Sequence, residues 1–93
     1  HTVYTGLTVY ANGESKTQVV GTEVTFRELS DAEIAAYIRT GEPMDKAGSY
    51  GIQGYGSMFV SHLSGDYFCV MGLPVCTLGE MLREAGVKLL GNL

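Results

Sequence analysis

Two runs of β-branched and aromatic residues, Thr2–Tyr10 (TVYTGLTVY) and Thr17–Phe26 (TQVVGTEVTF), stand on either side of a polar segment that contains Asn12-Gly13. Asn and Gly are the residues that most readily take positive φ, which a tight turn between twisted antiparallel strands demands. The chain therefore opens on an antiparallel hairpin, with Val3, Thr5, Leu7 and Val9 on one face of the first strand. A chain of 93 residues allows one small domain or part of one. Hydrophobic residues at 45% and charged residues at 17% exclude a disordered chain.

The next element is signposted at both ends. Ser30-Asp31-Ala32-Glu33 has the form of a capping box, and Leu29 and Ile34 occupy the staple positions around it. Ile34, Tyr37 and Ile38 give an apolar stripe at helical spacing, and Gly41 followed by Pro43 stops it, so the pattern predicts a helix over residues 31–40. Further on, Met58–Leu63 and Tyr67–Met71 read as strands around a Ser64-Gly65-Asp66 turn. A second capping box at Thr77–Glu80 predicts a helix whose apolar face is Leu78, Met81, Leu82 and Ala85, ended by Gly86. The expected order is β-β-α-loop-β-β-α, an α and β mixture with antiparallel pairs.

Six Lys and Arg against ten Asp and Glu, a formal net charge of −4, leave no basic footprint for a nucleic-acid backbone or an anionic membrane. No apolar run is long enough to span a bilayer, and no secretory leader opens the sequence. The chain starts at His1 directly in strand-like sequence, which reads as the middle of a protein. Cys69 and Cys76 stand outside C-x-x-C spacing, and His1 and His62 add little, so zinc has almost no support; reduced, buried thiols are expected.

Chemistry concentrates in Glu42–Ser57 (EPMDKAGSYGIQGYGS), too long and too glycine-rich for an ordinary connector. Gly51, Gly54 and Gly56 give G-x-x-G-x-G, not the dinucleotide fingerprint, and no P-loop or nucleophile elbow occurs. Glu42, Asp45 and Lys46 could hold a divalent metal and a phosphate oxygen, or could be a solvated charged loop. Gln53, between glycines, could present an amide that both donates and accepts, or could simply bond nearby backbone. His62 reads as a satisfied or edge-exposed histidine. Spacing alone leaves these alternatives open.

The run Glu42–Gly54 (EPMDKAGSYGIQG) resembles the signature of the Maf-like, septum-formation-inhibitor-like nucleoside triphosphate pyrophosphatases. Gly65-Asp66-Tyr67 leading into Val70–Pro74, His1-x-Val3-x-Thr5-Gly6, and the Ser30–Ile38 helix are similar to that family in the same order, so the resemblance covers nearly all of residues 1–93. It implies a mixed α/β (α+β sheet, ITPase-like) fold with a cleft between two lobes, of which this chain would be the C-terminal lobe. It implies hydrolysis of a nucleoside triphosphate to the monophosphate and pyrophosphate with a divalent cation, Mg or Mn, by a cytoplasmic homodimer that engages neither nucleic acid nor membrane. The A-G-[SA]-Y-G-I-Q-G form is similar to the branch that takes dTTP and UTP, including modified nucleotides. By that resemblance Lys46 and Gln53 would bind substrate, with Glu42 and Asp45 as metal candidates. The family's S-x-S-P-R-R motif and its Asp-Thr pair, which carries the proton acceptor, do not occur here, so the catalytic base is expected in a missing N-terminal half and the chain alone is expected to be inactive. Cys69 stands where the family often has Asn or Ser. A stand-alone nucleotide- or protein-binding module, or a dimerisation piece, is the alternative, which an upstream reading frame encoding S-x-S-P-R-R would decide against.

Overall fold

The computed structural model describes residues 1–91. They fall into two compact units, one of His1 with Val24–Ser64, the other of Thr2–Glu23 with the chain from Gly65 onward.

The second unit contains the hairpin. Strands β1 (Thr2–Ala11) and β2 (Glu14–Phe26) pair antiparallel in a register from Thr2 opposite Glu23 to Ala11 opposite Glu14. The loop is only Asn12-Gly13, with φ of 55° and 78°, so both turn residues take the positive φ of a type I′ hairpin. Val3, Thr5, Leu7 and Val9 alternate inward as the sequence predicts, and helices α2 (Tyr67–Met71) and α3 (Val75–Glu84) pack on β1. Met81 of α3 is buried, and Gly86, with φ of 92°, follows its last turn.

Tyr67–Met71 is a helix where a strand is expected, and the cause is local. Asp66 caps it: Oδ1 accepts from the Phe68 and Cys69 N–H groups at 2.8 and 3.3 Å, and Gly72, at φ 122°, ends it one turn later. Packing then fixes the helix. Cys69 is fully buried, its Sγ donating to the Val20 carbonyl at 3.2 Å while Thr5 Oγ1 donates to the Cys69 carbonyl at 2.9 Å. Burial and a cap outweigh the strand-like composition of five residues. α3 also begins earlier than the Thr77–Glu80 box predicts, because buried Pro74 stands at its N-cap and the chain turns helical at Val75. Of the two cysteines, Cys69 is buried as expected but Cys76, on the first turn of α3, is exposed.

In the first unit, α1 runs Asp31–Arg39 with Thr40 at its C-cap. Both capping-box bonds form, Glu33 N–H to Ser30 Oγ and Ser30 N–H to Glu33 Oε1, each 3.1 Å. Arg27 adds a 2.5 Å ion pair to Glu33, and chiefly that bond, then the Ser30 amide, pulls the Glu33 carboxyl down to about 2. Only Tyr37 of the predicted apolar stripe is buried; Ile34 and Ile38 are exposed. Two short 3-10 helices, Glu42–Asp45 and Tyr55–Phe59, interrupt the stretch expected to be loop, and the strand expected over 58–63 is β3 at Val60–Ser64. Within this unit β3 lies beside the C-terminal end of β2, where Ser61 Oγ donates to the Thr25 carbonyl.

Candidate functional site

The glycine-rich stretch is organised around one carboxylate. Pro43 at the second position of the first 3-10 helix holds Glu42 at its start, directly after Gly41 at φ 79°. From there the Glu42 side chain enters the turn that follows Gly51. Oε1 accepts the Tyr55 N–H at 2.9 Å, and Oε2 accepts the Gly56 N–H at 3.0 Å and the Tyr37 hydroxyl. Tyr37 Oη in turn accepts the buried Gly51 N–H at 2.8 Å. Tyr37 is fixed by its own packing, its ring edge-on to Phe59 with centroids 5.0 Å apart. Helix α1, the first 3-10 helix and both ends of the Gly51–Gly56 turn thus meet on one anionic group.

This clasp supplies a physical reason for the glycines. A Cβ on Gly54 would fall inside contact distance of Glu42 Oε1; one on Gly51 would sit 3.1 Å from Glu42 Cδ; one on Gly56 would come within 2.6 Å of the Gly51 carbonyl oxygen and 3.0 Å of Tyr37 Oη. The glycines make room for a side chain of this chain, and the N–H groups of Tyr55 and Gly56 point at that side chain.

Electrostatics follow the geometry. The Glu42 carboxyl is held below its ordinary value of 4.5, chiefly by the Tyr37 hydroxyl and also by the Gly56 and Tyr55 amides. The Tyr37 hydroxyl is pushed up, first by burial and then by its bond to Glu42, so it keeps its proton and remains the donor.

The other residues singled out from sequence lie on the outside of this stretch. Asp45, Lys46 and Gln53 are exposed, and Glu42 is half-buried. The backbone around Lys46 is fixed by its N–H to the Pro43 carbonyl at 3.3 Å and its carbonyl to the Ser49 N–H at 3.1 Å, which leaves the side chain projecting from an ordered turn. Gln53 sits between the two anchored ends of the clasp, Gly51 and Tyr55. A cleft of about 330 Å³ shares Tyr37 and Tyr55 with the clasp and is otherwise walled by residues such as Arg27, Thr40 and Phe59; neither Lys46 nor Gln53 lines it. Arg27 is occupied by Glu33, the Glu28 carbonyl and the Met58 carbonyl. His62 is exposed on β3. Among the described residues no three His, Cys, Asp or Glu side chains come together as a metal site, and no helix is long and apolar enough to cross a membrane.

Sequence reasoning missed Tyr37 and the internal role of Glu42. The signal was available in part: three glycines at 51, 54 and 56 indicate that something approaches the backbone closely, though not what.

A mixed α/β chain whose glycine loop closes on its own carboxylate is distinct from a dinucleotide- or P-loop-binding protein, where those N–H groups face phosphate. Residues 1–85 match the Maf-like protein family, and the chain belongs to that family. It is 50% identical over 88 residues to a dTTP/UTP pyrophosphatase of Dechloromonas aromatica (strain RCB), which covers 95% of this chain and 44% of the relative. It is 52% identical over 87 residues to a dTTP/UTP pyrophosphatase of Bacillus cereus (strain AH187), covering 94% of this chain and 46% of the relative. The chain thus spans about half the length of the curated relatives it matches.

Proposed function

We propose that this chain is the C-terminal lobe of a nucleoside triphosphate pyrophosphatase acting on dTTP, UTP and related pyrimidine nucleotides. The observation that carries the reading is 50–52% identity to two dTTP/UTP pyrophosphatases across almost the whole chain. Water attacks the α-phosphorus, the bond from that phosphorus to the bridging oxygen breaks, and pyrophosphate leaves with the nucleoside monophosphate as the other product. Such a step is accelerated by fixed charge and donors placed on the phosphate oxygens.

Lys46 is the residue of this lobe for that task, its ammonium neutralising phosphate charge from a turn whose backbone is already held. Gln53 reads the base. A uracil or thymine edge offers carbonyl acceptors around one ring N–H, and a carboxamide answers both kinds of group. The water-activating carboxylate and further cations belong to the part of the enzyme beyond this chain. A divalent cation, Mg or Mn, would supply charge neutralisation on the phosphates when bound. The described residues do not form a site for it by themselves: Asp45 offers one exposed carboxylate, and the oxygens of Glu42 already accept hydrogen bonds from Tyr37, Tyr55 and Gly56. The enzyme acts in the cytoplasm as a homodimer, and the acidic balance of this chain supports a small-molecule substrate over nucleic acid.

The test is kinetic, in the full-length enzyme. Lys46→Ala should lower kcat/KM by roughly 10- to 1,000-fold for every nucleotide, since the phosphates are common to all. Gln53→Glu should lower dTTP and UTP turnover by roughly 10- to 100-fold and leave GTP less affected, because a carboxylate only accepts. Unchanged kinetics in folded Lys46→Ala protein, or a dTTP-to-GTP ratio unmoved by Gln53→Glu, would remove the corresponding assignment.

A further inference from the structure

We propose that Glu42 is a specificity-positioning residue: without touching the nucleotide, its carboxylate holds the Gly51–Gly56 turn in the one shape that aims Gln53 at the base. The inference rests on the reading of Gln53 as the base-contacting residue and goes beyond it by naming what sets that residue's place.

The turn that carries Gln53 has few internal bonds, Gly54 N–H to the Gly51 carbonyl at 3.3 Å and Ser57 N–H to the Gly54 carbonyl at 3.0 Å. A segment with so many glycines has a wide choice of backbone shapes when left to itself. The clasp removes that choice at both ends. Gly51 is fixed through Tyr37 Oη at 2.8 Å, and Tyr55 and Gly56 are fixed directly on Glu42 at 2.9 and 3.0 Å. Gln53 stands between these anchors and is exposed, so its amide is free for a ligand while its backbone is not free to wander.

The chemistry of the clasp requires a carboxylate. Three donors converge on Glu42, and an ionised carboxylate is an acceptor on both oxygens. A carboxamide at the same place would turn an NH2 group toward N–H groups or toward the Tyr37 hydroxyl, and at least one bond would be lost. A carboxylate one methylene shorter would not reach both ends of the turn. The same bonds tie Glu42 to the loop: both carboxylate oxygens accept from this chain, and a cation taking them would have to displace the Tyr37, Tyr55 or Gly56 donor.

The experiment compares four forms of the full-length enzyme: wild type, Glu42→Gln, Gln53→Glu and the double variant. The readout is the ratio of kcat/KM for dTTP to kcat/KM for GTP, with the half-saturating Mg concentration measured alongside. Glu42→Gln should lower the ratio roughly 5- to 50-fold, mainly through the KM for dTTP, on the scale of losing one well-placed polar contact. The double variant should show a ratio no lower than Gln53→Glu alone, since both changes disable one device. The half-saturating Mg concentration should not move. Should Glu42→Gln fail to fold, Tyr37→Phe, which cuts the link from Glu42 to Gly51 and keeps the ring, should lower the ratio in the same direction. If Gln53→Glu shifts the ratio but Glu42→Gln and Tyr37→Phe lower both nucleotides equally, the positioning role is wrong and the reading of Gln53 survives. If Gln53→Glu itself leaves the ratio alone, both fall. A raised half-saturating Mg concentration in Glu42→Gln would overturn the inference in favour of a metal ligand.

Discussion

Replacing Gly56 by Ala is the sharpest probe of how tightly the glycine turn is closed. The added methyl would lie 2.6 Å from the Gly51 carbonyl oxygen, a backbone atom, and 3.0 Å from Tyr37 Oη, whose ring is held against Phe59. Neither neighbour is the free end of a flexible side chain, so the backbone must move and strain the bonds at Gly51 or Gly56. Overpacking of this kind costs about 1–3 kcal/mol. Gly6→Ala is the matched control: it sits on β1 with nothing within 4 Å of its would-be Cβ, and Ala is mildly favoured over Gly inside a strand. In urea, with a slope of ~2 kcal/mol per molar, a loss of ~2 kcal/mol moves the midpoint down by ~1 M. Gly6→Ala should stay within ~0.3 M of wild type or rise slightly, given that surface changes fall within ±0.5 kcal/mol. Equal midpoints for the two variants, at equal slopes, would refute the crowding argument at Gly56.

Four further outcomes are expected. Ser30→Ala should cost about 1 kcal/mol by removing the Oγ that accepts the Glu33 N–H. Because the folded Glu33 carboxyl sits at about 2 against 4.5, its stabilising bonds are complete above 4.5 and fade as pH falls toward 2, so an acid-unfolding profile should lose part of its slope in Glu33→Gln. Under native conditions a thiol reagent should label Cys76 rapidly and Cys69 only on unfolding, as counted by mass; prompt double labelling would contradict the burial of Cys69. On the proposed reading, the 93-residue chain by itself should release pyrophosphate from dTTP poorly or not at all and should gain that activity on addition of an N-terminal half; near-native turnover by the chain alone would refute the half-enzyme reading.

What the sequence disclosed, it disclosed through short-range chemistry. Asn12-Gly13 set the hairpin because only positive φ closes a two-residue loop, and Ser30 and Glu33 marked the start of α1 because their bonds span three residues. α2 was hidden since Tyr67–Met71 carries strand-like residues, and its helical state depends on the Asp66 cap and on Cys69 meeting β2 backbone 49 residues earlier in the chain. The Thr77–Glu80 pattern misplaced the start of α3 because a buried proline upstream governs it. Glu42 was grouped with Asp45 and Lys46 by proximity, whereas its partners lie 5, 13 and 14 positions along the chain. Substrate roles for Lys46 and Gln53 come from family resemblance alone; the fold adds that both are exposed and that Gln53 stands on a turn anchored at each end.

The crowding of Gly54 against Glu42 also couples the two positions in sequence change. A methyl at Gly54 would take the space that Glu42 Oε1 fills, so Gly54→Ala forces the end of that side chain to swing aside and release the Tyr55 N–H. Trimming Glu42 first opens that space but strips the Tyr55 and Gly56 N–H groups of their acceptor, so the intermediate has a loosened turn. With position 42 small, a side chain at 54 no longer meets that carboxylate, and it narrows the backbone freedom that the missing carboxylate had restrained. Positions 42 and 54 are therefore coupled: whichever changes first loosens the clasp, and the second change then costs less than it would alone.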